Sequence, residues 1–407
     1  MILTPLYRCV ILALIASIVV FLSLNPTARS CFGKNSDEGY YTRYVASVDE
    51  HGLSAFPRWI AWYASSEKAR IHPAPVRAGY IILGAILFKL NGHPDVALLA
   101  FVSTISFFIF LFVCFHYVRK YFDLDTALLT VLFLASSPLM MGLSRRALID
   151  SPANLLWALT LWLFLDVLLK PTRYSYGCFL ISLMASISFK ESSLILVPFF
   201  VMAGLLGRRN GADITMAQIA GIVIYPMLFI VLFWGMICGG MGGLLAAVMA
   251  IAKTHLSSHY QNSYAINYCS GPWFRYLLDF LLITPITTLL FIGYLGYFAI
   301  QRKALDFIRS YFLLYFIFTY TLLSSLAHSK VVRFVVNLEM VMALFAVLML
   351  KEIFKGCDER KMRIFLFYSA LAIFMYNWSS FVELFYRPSL LDPITVYLLM
   401  ARQFIPY

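Results

Sequence analysis

Residues 96–118 read VALLAFVSTISFFIFLFVCFHYV and decide the fold class of this chain. The stretch holds no Asp, Glu, Lys or Arg. A helix needs roughly 20 mostly apolar residues to cross a bilayer, where every backbone amide must be satisfied within the segment. The strands of a membrane barrel would instead alternate apolar and polar residues. The stretch therefore predicts a transmembrane helix.

The composition extends this prediction to the whole chain. Of its 407 residues, 61% are hydrophobic and 13% are charged, and the mean hydropathy is +0.81. These values lie far outside the range of soluble proteins. The net charge of +12 does not indicate a nucleic-acid partner, because the basic residues are scattered in small groups between apolar runs. We expect an all-α polytopic membrane protein that forms a single domain over residues 1–407.

The apolar runs give the expected spans and their topology. Short basic loops on one side satisfy the positive-inside rule if the N-terminus is cytoplasmic. The membrane is expected to be a prokaryotic cytoplasmic membrane, with the endoplasmic reticulum as the alternative. Eleven spans are predicted, near residues 9–25, 95–117, 124–143, 152–169, 174–189, 192–206, 217–238, 274–298, 310–327, 334–350 and 364–380.

With this topology, three segments lie on the extracytoplasmic side of the membrane. The longest, 26–94, contains two stretches that suit helices lying along the interface, near 38–50 and 79–90. The loop 239–273 begins with a glycine-rich run that predicts a re-entrant or close-packed element. The third is the short turn 144–151, and any chemistry is expected on this side.

The first candidate site is Asp37-Glu38, which follows the first span and precedes Tyr41. A carboxylate at the membrane surface can act as a general base toward an acceptor hydroxyl. The alternative is a solvated helix start, where acids interact favourably with the helix dipole. Taken alone, the pair favours the helix start.

The second candidate is the turn 144–152, SRRALIDSP. Arg145 and Arg146 break the positive-inside pattern, and guanidinium groups bind phosphate in a bidentate manner without losing their charge. Asp150 precedes Ser151-Pro152 and is equally consistent with a helix N-terminus. The turn predicts a phosphate-binding site at the bilayer surface.

Further charges lie at two more outer turns and within one span. Lys190-Glu191 reads as an ion pair, and Arg333 lies in the turn before the tenth span. Helical packing could gather these cations around one anion, although Lys and Arg at span ends commonly reach toward lipid head groups. Glu339 lies inside the tenth span, where an unpaired charge is costly, so a partner or a site is expected, and an outer-face arginine would suffice as the partner.

The evidence for a metal site is limited to His255 and His259. Their spacing of four can place two imidazoles on one helical face. No third ligand is evident, and surface histidines are common. No metal or other cofactor is therefore expected to be required.

The order of these pieces resembles the membrane glycosyltransferases of the C superfamily, in the branch of the protein O-mannosyltransferases and aminoarabinose transferases. In that family an Asp-Glu pair follows the first span, as Asp37-Glu38 does. A proline-containing interfacial helix that ends in glycine comes next, as at 72–92. The turn 144–152, the 189–191 turn and Arg333-Phe334 match three later elements.

The resemblance implies an inverting transfer of a sugar from a polyprenyl- or dolichyl-phosphate donor to an extracytoplasmic lipid, glycan or protein acceptor. It implies Asp37 as the base, with Arg145, Arg146, Lys190 and Arg333 holding the donor phosphate. Arg77 is one of two candidates to replace a lysine of the family's first loop.

Two other functions are consistent with a polytopic chain. A transporter or flippase would need polar or broken helices near the midplane, where this sequence is mostly apolar. A non-catalytic assembly subunit would tolerate replacement of Asp37 together with the arginines.

Overall fold

The computed structural model describes residues 3–25, 36–67, 69–256, 270–301, 305–326 and 330–387. All regular structure in these ranges is helical, which confirms the predicted all-α class. The α-helices are α1 Leu3–Leu24, α2 Asp37–His51, α3 Ala55–Ser65, α4 Ala78–Asn91, α5 Val96–Tyr121, α6 Leu124–Ala135, α7 Pro138–Ser144, α8 Asp150–Leu169, α9 Arg173–Phe189, α10 Leu196–Arg209, α11 Met216–Phe229, α12 Gly235–Ile237, α13 Met241–Leu256, α14 Arg275–Ile283, α15 Pro285–Gln301, α16 Phe307–Ser324, α17 Glu339–Ile353 and α18 Glu359–Phe381.

Shorter helical turns extend several of these helices. The 3₁₀ turns Glu191–Ile195 and Val332–Leu338 lead directly into α10 and α17. The π-helical segments Ile230–Trp234 and Val382–Tyr386 continue α11 and α18. Two further 3₁₀ turns, Gly52–Ser54 and Ala69–Ile71, lie before and after α3.

Eight helices within the described ranges are long and apolar enough to cross a membrane, or nine if α6 and α7 form one bent span. The predicted count of eleven is therefore not confirmed. Helix α9 has only 17 residues, and the predicted span 274–298 is divided between α14 and α15 at Pro285. The break between α6 and α7 bends the pair by 63°, because Pro138 disfavours helical geometry at the residue before it.

The first outer segment forms three helices rather than the two that were predicted. The expected stretches become α2 and α4, and α3 lies between them. Helix α4 packs closely on the end of α9 through Gly79, where an added Cβ would lie 2.5 Å from the Phe189 ring. This close approach sets Arg77, the residue before α4, beside the turn that follows α9.

The glycine-rich run after α12 makes a tight turn into α13, which packs against α3. Gly239 and Gly240 have positive φ values of 76° and 112°. At Gly243 a Cβ would lie only 2.0 Å from the carbonyl oxygen of Cys238, so this position requires glycine. The predicted close-packed element is this turn together with α13.

The two ends of the helices carry different charge patterns. At the end where α5 and α8 terminate, cations pair one to one with carboxylates: Arg8 with Asp125, Lys120 with Asp166, and Lys351 with Asp123. The other end, where α2 and α8 begin, carries the cluster described next. The helices between them bury one continuous apolar core.

Candidate functional site

Four separate elements bring an alternating chain of acids and bases together at one end of the helices. Asp37 is the first residue of α2, Asp150 is the first of α8, Lys190 follows α9, and Arg333 lies in the turn before α17. An Arg333 Nη2 donates to Asp37 Oδ2 at 2.6 Å, and its Nη1 lies 3.8 Å from Asp150 Oδ2. Lys190 Nζ donates to Asp150 Oδ1 at 2.8 Å. Residues separated by up to 296 positions in sequence therefore form one ion network.

Asp37 is the most accessible carboxylate of this network. Its side chain is 22% exposed, compared with 3% for Asp150, 6% for Glu38 and 8% for Glu191. The Ser36 side chain caps α2 by accepting from the Gly39 amide, and the helix N-terminus favours a negative charge at Asp37. Asp37 is thus the carboxylate that a molecule entering from solvent would reach.

Glu38 and Arg146 form a buried bidentate ion pair instead of facing solvent. Arg146 Nε donates to Glu38 Oε1 at 3.0 Å and Arg146 Nη2 donates to Oε2 at 2.8 Å. A fork of this kind fixes both side chains and matches guanidinium geometry to carboxylate geometry. It ties the start of α2 to the turn between α7 and α8.

The predicted ion pair between Lys190 and Glu191 is wrong, since each side chain pairs with a more distant residue. Glu191 accepts from Arg77 Nε at 2.7 Å and from Arg77 Nη2 at 2.5 Å. Arg77 Nη1 also donates to the Tyr41 hydroxyl at 2.5 Å. Burial raises the pKa of Tyr41 well above its ordinary value, so this phenol stays protonated. Arg77 and Tyr41 thus join α2, α4 and the 191–195 turn beneath the site.

Arg145 differs from the other cations because no carboxylate pairs with it in the part of the chain that the structure describes. Its Nε donates to the Asn25 carbonyl at 2.6 Å, and its guanidinium lies 4.7 Å from the Tyr386 ring centroid. Burial lowers the pKa of Arg145, with the neighbouring Arg146 charge adding to the effect. Arg145 is only 5% exposed and keeps a guanidinium charge, held against aromatic rings, that no carboxylate among the described residues compensates.

Glu339 lies in the first turn of α17, and its hydrogen-bond partner is a serine and not an outer-face arginine. The Ser137 hydroxyl donates to its Oε2, while Oε1 has no hydrogen-bond partner among the described residues. Ser137 lies at the break between α6 and α7, so this contact fastens the break to α17. Glu339 stands apart from the ion network around Asp37.

A small pocket adjoins the network on its inner side. Asp150, Lys190 and Arg333 contribute to its lining. Two amides follow one turn deeper, Asn154 four residues after Asp150 and Asn337 four residues after Arg333. The sequence analysis did not select these amides, although the spacing of four from a charged residue was a signal that could have identified them.

The described residues contain no cluster of three or more metal-ligating side chains. The His255 side chain and His259 lie outside those residues. Lys330 lies three residues before Arg333 but does not join the ion network. Its Nζ donates instead to the Gly271 carbonyl at 2.5 Å.

Comparison with known proteins identifies what this arrangement is similar to. Residues 73–255 match a family model described as dolichyl-phosphate-mannose-protein mannosyltransferase. No curated protein sequence matches. The fold matches ArnT from Cupriavidus metallidurans bound to undecaprenyl phosphate, with 13% identity, a TM-score of 0.58, and coverage of 95% of this chain and 74% of that one.

The fold also matches an oligosaccharyltransferase from Archaeoglobus fulgidus in the apo form. The identity is 13% and the TM-score is 0.63, and the match covers 92% of this chain but only 55% of that one. Both solved structures are membrane glycosyltransferases of the C superfamily. The fold of this chain is thereby shown to resemble theirs, as the sequence predicted.

Proposed function

We propose that the protein transfers a sugar from a polyprenyl- or dolichyl-phosphate donor to an extracytoplasmic acceptor, with inversion and with Asp37 as the general base. One observation carries the proposal: the accessible carboxylate of the ion network, Asp37, is paired with Arg333, a cation that could hold a phosphate. The general class is supported by the matching family model and by ArnT, which was solved with undecaprenyl phosphate.

The geometry divides the four cations that the resemblance implied for the donor phosphate. Arg145 has no carboxylate partner among the described residues, and Arg333 is shared between Asp37 and Asp150. Lys190 is paired but borders the inner pocket. Arg146 is engaged by Glu38 through two short hydrogen bonds. We therefore assign the phosphate to Arg145, Arg333 and Lys190, and we assign Arg146 and Glu38 to positioning α2.

The same contacts favour Asp37 over Glu38 as the proposed base. A general base must come within roughly 2.6–3.2 Å of the proton it accepts. Glu38 is buried and both its oxygens accept from Arg146, whereas Asp37 is partly exposed and has one oxygen engaged by Arg333. An acceptor hydroxyl can therefore approach Asp37 and not Glu38.

The reaction that follows is a single displacement. The acceptor oxygen forms a bond to the anomeric carbon as its proton passes to Asp37. The bond from that carbon to the phosphate oxygen breaks, and its electron pair stays on the phosphate. The cations stabilise the charge that develops on this leaving group. A single displacement from the opposite face inverts the configuration of the anomeric carbon.

The extracytoplasmic placement of the site rests on charge. The loop cations that support the positive-inside assignment, such as Lys120 and Lys351, lie at the helix ends opposite Asp37. This arrangement favours a cytoplasmic N-terminus and an acceptor on the outer side of the membrane.

The test uses purified protein, undecaprenyl-phosphate sugars and membrane-derived acceptors, with Asp37→Asn as the variant. General-base removal costs roughly 10²–10⁴-fold in rate, so transfer is expected to fall by that factor. Asp49→Asn is the matched control, because Asp49 lies on the same helix and outside the network. Equal rates for Asp37→Asn and wild type would refute Asp37 as the base. Absence of transfer by wild type with every donor would refute the enzyme in favour of a transporter or an assembly subunit.

A further inference from the structure

A second polar cavity lies at the opposite end of the helices from Asp37. Its volume is about 330 Å³, within the lower part of the range of roughly 300–1,000 Å³ that small-molecule sites occupy. It opens where α5 and α17 end and where α6 and α16 begin. Its polar lining consists of Asp123, Tyr294, Asp306, Arg309, Lys351 and Glu352.

Two donors, Tyr294 and Arg309, lie beside each other in this cavity. Tyr294 is fully buried, and its hydroxyl hydrogen has no acceptor among the described residues. Arg309 is ion-paired on one side, with its Nε 3.1 Å from Asp306 Oδ2. Because a buried donor without an acceptor is costly, the Tyr294 hydroxyl favours binding of an acceptor in the cavity.

The carboxylates of the cavity are not equally engaged. Asp123 caps α6 and accepts from Lys351 at 2.6 Å, while Asp306 caps α16. Glu352 receives its two hydrogen bonds, from Tyr297 and Lys355, through Oε2 alone in the described part of the chain. Its Oε1 is therefore open to a donor that enters the cavity.

We propose that this cavity binds the headgroup of an aminophospholipid, with the phosphate on Tyr294 and Arg309 and the primary ammonium on Glu352. Donors and a free acceptor share one cavity, so a molecule that carries both charges fits it better than either ion alone. The three carboxylates outnumber the two cations, which disfavours a headgroup with only negative charge. A choline headgroup lacks the N–H donors that Glu352 would accept.

The position of the cavity favours a membrane lipid over a soluble metabolite. Tyr121, Lys351 and Arg309 lie within three residues of the ends of three candidate spans, so the cavity mouth is at the level of the headgroups. Lipid headgroups are concentrated at this level of a bilayer. Its acyl chains would remain beside the apolar surfaces of the same helices.

The experiment measures lipid affinity by thermal-shift titration of the purified chain in detergent, so it needs no transferase activity. The lipids are phosphatidylethanolamine, phosphatidylcholine and phosphatidylglycerol, with soluble phosphoethanolamine as a fourth ligand. Only phosphatidylethanolamine is expected to stabilise the wild type strongly. Tyr294→Phe and Arg309→Gln are each expected to weaken its binding by about tenfold, the loss of one hydrogen bond to a charged group.

Tyr311→Phe is the matched control, because this buried tyrosine donates to the Leu161 carbonyl away from the cavity. Its lipid affinity is expected to equal that of wild type. Equal stabilisation by all three lipids, or an undiminished affinity in both Tyr294→Phe and Arg309→Gln, would overturn the proposal. Tight binding of soluble phosphoethanolamine at the affinity of the lipid would overturn its assignment to a lipid.

Discussion

Replacing Arg146 by methionine tests its proposed role in positioning α2 against the phosphate-binding role that the family resemblance implied. In the structure Arg146 and Glu38 are each about one-twentieth exposed, and two hydrogen bonds of 3.0 and 2.8 Å join them. Arg146→Met removes the cation and leaves Glu38 buried without its main counter-charge. Breaking a buried ion pair on one side costs about 3–5 kcal/mol. The free energy of unfolding is expected to fall by that amount.

The double variant Glu38→Gln/Arg146→Met removes both charges and keeps the side-chain volumes similar. Neutral replacement of a whole buried pair often costs little, so the double variant is expected to recover most of the lost stability. The coupling between the two positions should therefore be of the same order as the single loss. Denaturant unfolding in detergent micelles measures all three variants against wild type.

Affinity for undecaprenyl phosphate is measured on the same four proteins. If Arg146 positions α2, the double variant binds this lipid about as well as wild type. If Arg146 instead holds the phosphate, Arg146→Met is close to wild type in stability, binds the lipid poorly, and gains nothing from Glu38→Gln. That second pattern would refute the positioning role.

Two further predictions concern packing and pH. Gly79→Ala places a Cβ 2.5 Å from the Phe189 ring and should lower the free energy of unfolding by about 1–3 kcal/mol. Gly177→Ala is the control in the same unfolding assay. No atom lies within 4 Å of its added Cβ, so this variant should be neutral or stabilising. Burial lowers the pKa of His72 below its ordinary value of 6.5, so the unfolded chain binds the proton more readily. The contribution of neutral His72 to stability is therefore complete above pH 6.5 and is lost as the pH falls below that value. A His72→Phe variant whose melting temperature has the same pH dependence as wild type would contradict this.

Hydrophobic length predicted the helices well because lipid leaves the backbone few alternatives. Each of the eleven apolar runs contains a helix, and the stretch at 96–118 became α5 almost to the residue. The length of an apolar run could not show whether it forms one unbroken helix that crosses the membrane. Pro285 and Pro138 divide or bend two of the runs, and α3, with Trp59 and Trp62, is too short and too polar to be selected by hydropathy.

Several charged residues that the sequence selected lie together in the structure, but their pairing was not predicted. Position in an outer turn was enough to select Asp37, Asp150, Lys190 and Arg333. Pairing depends on how α2, α8 and α9 pack, and no local pattern encodes this. Lys190-Glu191 illustrates the reason, since adjacent residues point to different neighbours and each found its counter-charge elsewhere, at Asp150 and Arg77.

The pairing that the sequence could not reveal has a consequence for the order of events at the site. In the structure Arg333 is held by Asp37 and Asp150, so the proposed base and a proposed phosphate ligand engage each other. A phosphate that recruits Arg333 would release the engaged oxygen of Asp37 at the moment when the acceptor needs it. Arg145, which has no carboxylate to give up in the described structure, would make the first contact. Donor binding would thereby precede acceptor activation, and the base would remain paired, and inactive toward water, until a donor is present.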